Sequence, residues 1–236
     1  MAMNETTTSR ALLTGLDPGW MERVRWWQQG ATRGVLGPKI VALIRVLLDI
    51  LVTHMNREGA ARHMREALAA GASRAEVLAV IKLASVIGIH SYAAAAPEFG
   101  AAMRAVGRSP VPAHAAPTPA TDAMRAEGAL NPAWSDIERW DPEWLERFLR
   151  MGSAPWTDAV LDARVIELLC VAGDASVTHL WPSGIRRHAE AALRYGATPE
   201  ELLEVLRIVA GQGVESVELA APILESLCAE NAVAGE

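Results

Sequence analysis

The chain reads as an all-α protein built from two tandem helical modules, and three observations lead there. Apolar residues make up 51% of its 236 positions, yet only two Tyr and two Phe stand among a large excess of Ala and Leu, as in helices packed through small aliphatic side chains. Apolar positions recur at helical spacing, and the period-two alternation of β-branched residues that marks strands is largely absent. The second half also repeats the first without a gap. Asp49, Val52-Thr53-His54, Gly59 and His63 return as Asp174, Val177-Thr178-His179, Gly184 and His188, each displaced by 188 − 63 = 125 positions. The register runs on through Gly71-Ala72, Glu76, Gly88, Ser91 and Ala95-Ala96-Pro97, matched by Gly196-Ala197, Glu201, Gly213, Ser216 and Ala220-Ala221-Pro222. This pattern is that of one module used twice, by internal duplication.

Taken in order, residues 1–10 read as a disordered polar tail and residues 11–107 as the first module. Asp17-Pro18 supplies an N-cap followed by Pro at the first helical position, and Trp20, Val24 and Trp27 follow at helical spacing. The most apolar helix spans 38–53 and closes at Thr53-His54; a helix over 58–70 carries His63 and ends at Gly71, a glycine suited to a left-handed cap. Ser73 and Glu76 form a capping box, restated by Thr198 and Glu201, and open a helix running through Val77, Val80, Ile81 and Ala84 toward Gly88, with a bend expected near Pro97. Residues 108–132, rich in Pro and Ala, read as a linker with little reason to fold, and 133–229 as the second module.

Composition excludes several classes of function. A net charge of −6 argues against nucleic-acid binding, which needs a clustered excess of Lys and Arg. The N-terminus lacks an apolar signal core and no apolar stretch reaches the roughly 18 residues of a membrane span, so the cytoplasm is the expected location and no membrane a partner. Cys170 and Cys228 form no close pair, and Cys170, inside an apolar run, reads as a buried structural thiol.

The polar residues that recur in both halves are the candidates for chemistry. Asp49 and His54 fall near the end of one helix and His63 inside the next, and Asp174, His179 and His188 repeat the arrangement. Imidazole titrates near neutrality and a carboxylate beside it sets its tautomer, so proton transfer is the chemistry on offer, with a small molecule as the partner. The same Asp-His-His sets, Asp49, His54, His63 and Asp174, His179, His188, are an alternative ligand set for one divalent metal per module. A third alternative is a non-catalytic binding or scaffold protein in which the histidines merely cap helix ends. Positions that differ between the halves are also informative: His90 stands where Glu215 does, Asn56 where Trp181 does, Ala42 where Glu167 does. His90 and Glu215 read as an acid or base facing the site of their own module, Trp181 and Glu167 as substrate contacts. Arg45 or Arg186 could hold a substrate carboxylate.

The strings Arg164-Val165-Ile166-Glu167, then His188, Ala192-Leu193, Gly196-Ala197-Thr198, Glu200-Glu201 and Val205, resemble the carboxymuconolactone decarboxylase and alkylhydroperoxidase D-like superfamily. The first half repeats them as His63, Ala67-Leu68, Gly71-Ala72-Ser73, Glu76 and Val80, so the resemblance covers both modules. Peroxidase members share a Cys-x-x-Cys-x-x-x-His motif; here Asn56 and Gly59, then Trp181 and Gly184, stand at the cysteine positions, which removes the thiolate chemistry. The resemblance therefore implies the cysteine-less decarboxylase type: cofactor-free His and carboxylate acid-base chemistry, a decarboxylation or related lyase or isomerase step on a small carboxylated or lactone-like compound, of the kind met in aromatic catabolism. His63 and His188 are then the expected proton donors, and His54 and His179, oriented by Asp49 and Asp174, the expected bases. Single-module relatives assemble as hexamers or trimers, so the fused chain is expected to form a homo-oligomer, a trimer.

Overall fold

A computed structural model of the chain describes residues 5–108, 117–128 and 130–234, with side chains over 11–231 of these. It is all-α: among the described residues there is no strand. Helices α1 (Glu5–Leu16) and α2 (Pro18–Gln29) lead into α3 (Pro38–Ile50), α4 (Arg57–Ala69), α5 (Arg74–Val86) and α6 (Ile89–Ala105). The second half follows with α7 (Pro119–Ala126), α8 (Ser135–Trp140), α9 (Pro142–Gly152), α10 (Ala154–Thr157), α11 (Ala163–Ala175), α12 (Pro182–Arg194), α13 (Pro199–Ala210) and α14 (Glu215–Ala234).

Helices α3 and α11 are apolar around most of their circumference, and such helices have to be buried. They pack together at the centre of the main core, with Leu43, Ile44, Val46, Leu168 and Leu169 wholly or almost wholly enclosed. α4 covers α3, and α12 covers α11. The capping boxes form as read, Ser73 with Glu76 and Thr198 with Glu201. Each capping glutamate also reaches a basic residue on the central helix: Glu76 pairs with Lys39 at 2.7 Å, and Glu201 with Arg164.

The last helix of each half does not stay with its own half. α14 lies on α1, sharing a small core of Leu13, Met21 and Ala221. α6 lies on α8, where Ile89, Ala93 and Ala96 meet Trp134, Ile137, Leu145 and Leu149. This exchange places one residue from each half in the other half's site.

Three expectations need correction. Helix α1 starts at Glu5, inside the segment read as a disordered tail, because α14 offers it an apolar face; residues 1–4 lie outside the described residues. The Pro/Ala-rich linker folds in part. Its residues 117–126 include α7, whose first turn is caught by the buried Glu146 carboxylate, accepting from Ala120 N and Thr121 N at 3.0 Å and from Thr121 Oγ1 at 3.2 Å. Burial raises the Glu146 pKa, but those hydrogen bonds and Arg150 prevail and hold it below the ordinary carboxylate value. Residues 109–116 and 129 lie outside the described residues. Finally, α5 and α6 run on as a stretch, Arg74–Ala105, that is long and apolar enough by length and composition to cross a membrane. A third of its most apolar window is buried within this fold, and it carries His90 into a polar cluster.

Candidate functional site

Two clusters occupy positions 125 residues apart, and the local chain explains why both form. α3 and α11 end in a tight turn in which Met55 and Leu180 each take φ 51°, a left-handed conformation worth roughly 1–2 kcal/mol of strain in a residue with a Cβ. The turn closes through Asn56 N to Asp49 O at 2.7 Å and Trp181 N to Asp174 O at 2.8 Å. Gly59 and Gly184, on the first turns of α4 and α12, sit over the same two aspartates: a Cβ at either would overlap the carboxylate. That close approach is the physical reason for a glycine in both halves, and it leaves Asp49 and Asp174 1% and 4% exposed. The two turns also meet each other: Thr178 Oγ1 donates to Thr53 Oγ1 at 3.0 Å.

In the first cluster His63 Nδ1 meets Asp49 Oδ2 at 2.5 Å. With Nδ1 held by the carboxylate, Nε2 is left for chemistry. Burial raises the Asp49 pKa from its ordinary 3.8, outweighing the lowering by His63. Glu215 arrives from α14 of the second half: His54 Nε2 lies 2.8 Å from its Oε2, and Asn56 Nδ2 donates to the same oxygen at 2.6 Å. Asp49, His63 and Glu215 border a cavity of about 370 Å³ whose other walls include Arg45, Arg62 and Arg207, Gln28 and Gln212, the carboxylates Glu66 and Glu218, and the apolar Leu48, Ile208 and Val214; His54 and Asn56 stand behind Glu215, outside that lining. Arg45 also lies 3.8 Å from Glu66.

The second cluster has the same frame and different contacts. His188 Nδ1 is taken by Glu167 Oε2 at 2.6 Å, and Glu167 Oε1 accepts from Trp156 Nε1 at 2.9 Å. Asp174 is therefore not the partner of His188 Nδ1; its Oδ2 is 3.9 Å from His188 Nε2 and accepts no hydrogen bond. His90 arrives from α6 of the first half. Its Nδ1 is 2.8 Å from His179 Nε2, the two ring planes nearly parallel at 10°, and Trp181 lies alongside His90 at 4.9 Å between ring centroids. Burial, with Glu167 adding to it and His188 and Arg187 opposing, pushes the Asp174 carboxyl up to about 7. Burial, with His179, His188 and Arg187 adding to it, pulls the His90 imidazole down to about 4, and burial also lowers His179. The adjoining cavity is about 50 Å³, room for a water or two, and its other walls are mainly apolar: Leu47, Leu51, Leu83, Val86 and Leu169. Cys170 borders it, its thiol pushed well up by burial and by Glu167 and Asp174.

Several expectations about individual residues are revised by this geometry. His54 is oriented by Glu215 and not by Asp49, and His179 by His90 and not by Asp174. Glu215 and His90 each serve the opposite half's site, because α14 and α6 are exchanged. Arg186 is exposed, so it does not line the second cluster; its neighbour Arg187 faces inward over Trp134. Glu167 holds His188 and does not border open space. The expected metal sets change as well: among the described residues the donor groups that converge are Asp49, His54 and Glu215; His90, Asp174 and His179; and Glu167, Cys170 and His188. His63 is in none of them. Arg62 and Arg187 were missed, although the pairs Arg62-His63 and Arg187-His188 recur at the repeat offset. Arg207 and Gln212 come from another part of the chain and carry no such signal.

Residues 142–225 match the carboxymuconolactone decarboxylase family. Over 94% of this chain and 91% of its own, a crystal structure from Burkholderia xenovorans LB400 is similar to it with 32% sequence identity and a TM-score of 0.85. That protein carries the working description of a gamma-carboxymuconolactone decarboxylase subunit. Among curated proteins, no sequence matches this chain.

Proposed function

Because this chain belongs to the carboxymuconolactone decarboxylase family, we propose that its first cluster is an active site performing acid-base decarboxylation, or a closely related lyase or isomerase step, on a small carboxylated or lactone-like compound. One observation carries the reading: a His63–Asp49 pair with Nδ1 engaged, at the wall of a 370 Å³ cavity that also presents Arg45, Arg62 and Arg207. A cavity of that size suits a small organic acid, and guanidinium groups bind carboxylates with defined geometry.

In the proposed step the C–C bond to the leaving carboxylate breaks, CO2 departs, and the bonding pair enters a conjugated carbonyl to give a dienolate. The arginines oppose its negative charge, an electrostatic contribution that grows as the charge develops. His63 then gives its Nε2 proton to carbon, with Asp49 holding the ring through Nδ1. The His54–Glu215 pair supplies a base for substrates that first need a proton removed. As proposed, this chemistry uses no cofactor. Thiol peroxidation is disfavoured by Asn56, Gly59, Trp181 and Gly184 at the positions of the peroxidase cysteines.

The test is CO2 release from a panel of carboxylated lactones. Replacing His63 and His188 together by Gln should abolish turnover with the helical circular dichroism intact; retained turnover refutes the assignment. The working assembly is a homotrimer, supported by the exposed Leu219, Ile223 and Leu227 at successive turns of α14. Sedimentation showing a stable monomer at micromolar concentration would dismiss it.

A further inference from the structure

We infer that the second cluster binds a divalent metal ion of the zinc class, held by His90, His179 and Asp174. This goes beyond the acid-base reading of the first cluster, which uses no metal. His90 Nδ1 and His179 Nε2 are 2.8 Å apart, and Asp174 Oδ1 is 3.6 Å from the first and 3.9 Å from the second. The point equidistant from these three atoms lies about 2.0 Å from each, the bond length of zinc to imidazole nitrogen and carboxylate oxygen. A cation can therefore replace the proton the two rings now share, each imidazole turning its lone pair from the other ring to the ion.

A second observation points the same way. Asp174 is 4% exposed, and its Oδ2 accepts no hydrogen bond. That oxygen faces His188 Nε2 at 3.9 Å, too far for a hydrogen bond, so the buried carboxylate is incompletely satisfied by the protein, and its Oδ1 is the oxygen turned toward the two imidazoles. In the first cluster the corresponding groups are already occupied, Asp49 by His63 and Glu215 by His54 and Asn56. Two imidazole nitrogens and one carboxylate oxygen suit zinc, cobalt(II) or iron(II) over calcium or magnesium, and three protein donors leave coordination positions to water or a small anion. Since His90 lies on α6 and the other two donors at the end of α11 and in the turn after it, the ion would tie the two halves together.

The experiment uses full-length protein purified without a histidine tag and stripped with EDTA. Zn2+ is titrated in by calorimetry, and Co2+ by visible absorption. One ion per chain is expected, with the intense cobalt bands of a low-coordinate nitrogen-containing site. His90→Gln and His179→Gln should each weaken Zn2+ binding by at least about 100-fold, given that even outer-shell changes at such sites cost 10- to 100-fold. His54→Gln should leave binding unchanged. No stoichiometric binding, or unchanged affinity in folded His90→Gln and His179→Gln, overturns the proposal, as does an equal loss in His54→Gln. Should those variants fail to fold, X-ray absorption of the zinc-loaded wild type decides: imidazole nitrogen in the first coordination shell supports the site, an all-oxygen shell overturns it.

Discussion

The two clusters share a backbone frame and differ in almost everything a ligand would meet. Each has a helix-end aspartate, a left-handed turn, a glycine over the carboxylate and a histidine one helix on; one borders a cavity of about 370 Å³, the other about 50 Å³. Three positions account for most of the difference. Where the first half has Ala42, the second has Glu167, which captures His188 Nδ1 and so deprives Asp174 of the partner that Asp49 finds in His63. Where the first has Asn56, which donates to Glu215, the second has Trp181, which lies against His90. The exchanged residue is a carboxylate in one cluster and an imidazole in the other. A repeated frame thus specifies where polar groups converge, while the side chains that vary decide whether the result is an open, Arg-lined pocket or a closed knot of imidazoles.

The largest expected effect separates the two directly. His63→Gln should lower turnover by about 10²- to 10⁴-fold, the usual contribution of a general acid, whereas His188→Gln should change it by less than about threefold. Equal losses in steady-state assays would mean that the closed cluster takes part in the reaction, and the contrast would fail. Next come the glycines. Gly59→Ala and Gly184→Ala each force a methyl group onto a buried carboxylate, and each should destabilise the fold by about 1–3 kcal/mol in urea unfolding. Only Gly59→Ala should also impair turnover, since only it displaces Asp49; impairment by Gly184→Ala would tie the two clusters together.

The smallest effect is one of pH. The folded-state pKa of Asp49 lies above its ordinary 3.8, so the folded chain binds that proton more tightly than the unfolded chain does. Its contribution to stability is therefore present at low pH and lost as pH rises through 3.8 toward the folded value. The groups coupled to it are His63, Glu215 and Arg62. Between roughly pH 3 and 5.5, below the imidazole range, the stability of the wild type relative to Asp49→Asn should fall with rising pH. A relative gain over that interval would mean that the His63 pairing outweighs burial.

Much of this was legible in the residues themselves. The capping boxes, Asp17 as an N-cap, and the apolar run of α3 are local or periodic signals, and each forms the element it announces. Asp49, His63, Asp174 and His188 were visible as recurring polar positions. Pairings were not, because a hydrogen bond between residues 161 apart, such as His54 with Glu215, leaves no trace in spacing. The fold of residues 117–126 was hidden for a similar reason: Pro and Ala signal a linker until a buried glutamate, 25 residues downstream of Thr121, satisfies the first turn of a helix.

By itself, the sequence determined that the chain is helical, where several of its helices begin or stop, and which polar residues each half brings to the end of its central helix. These follow from backbone preferences and periodicity, which act over a few residues. The tertiary structure alone decided that α6 and α14 change sides, and with them His90 and Glu215, and therefore which cluster is open and which is closed. Burial of apolar helix faces is non-directional, so a stripe that must leave water does not state which partner will cover it; that choice is made only when all the helices pack at once.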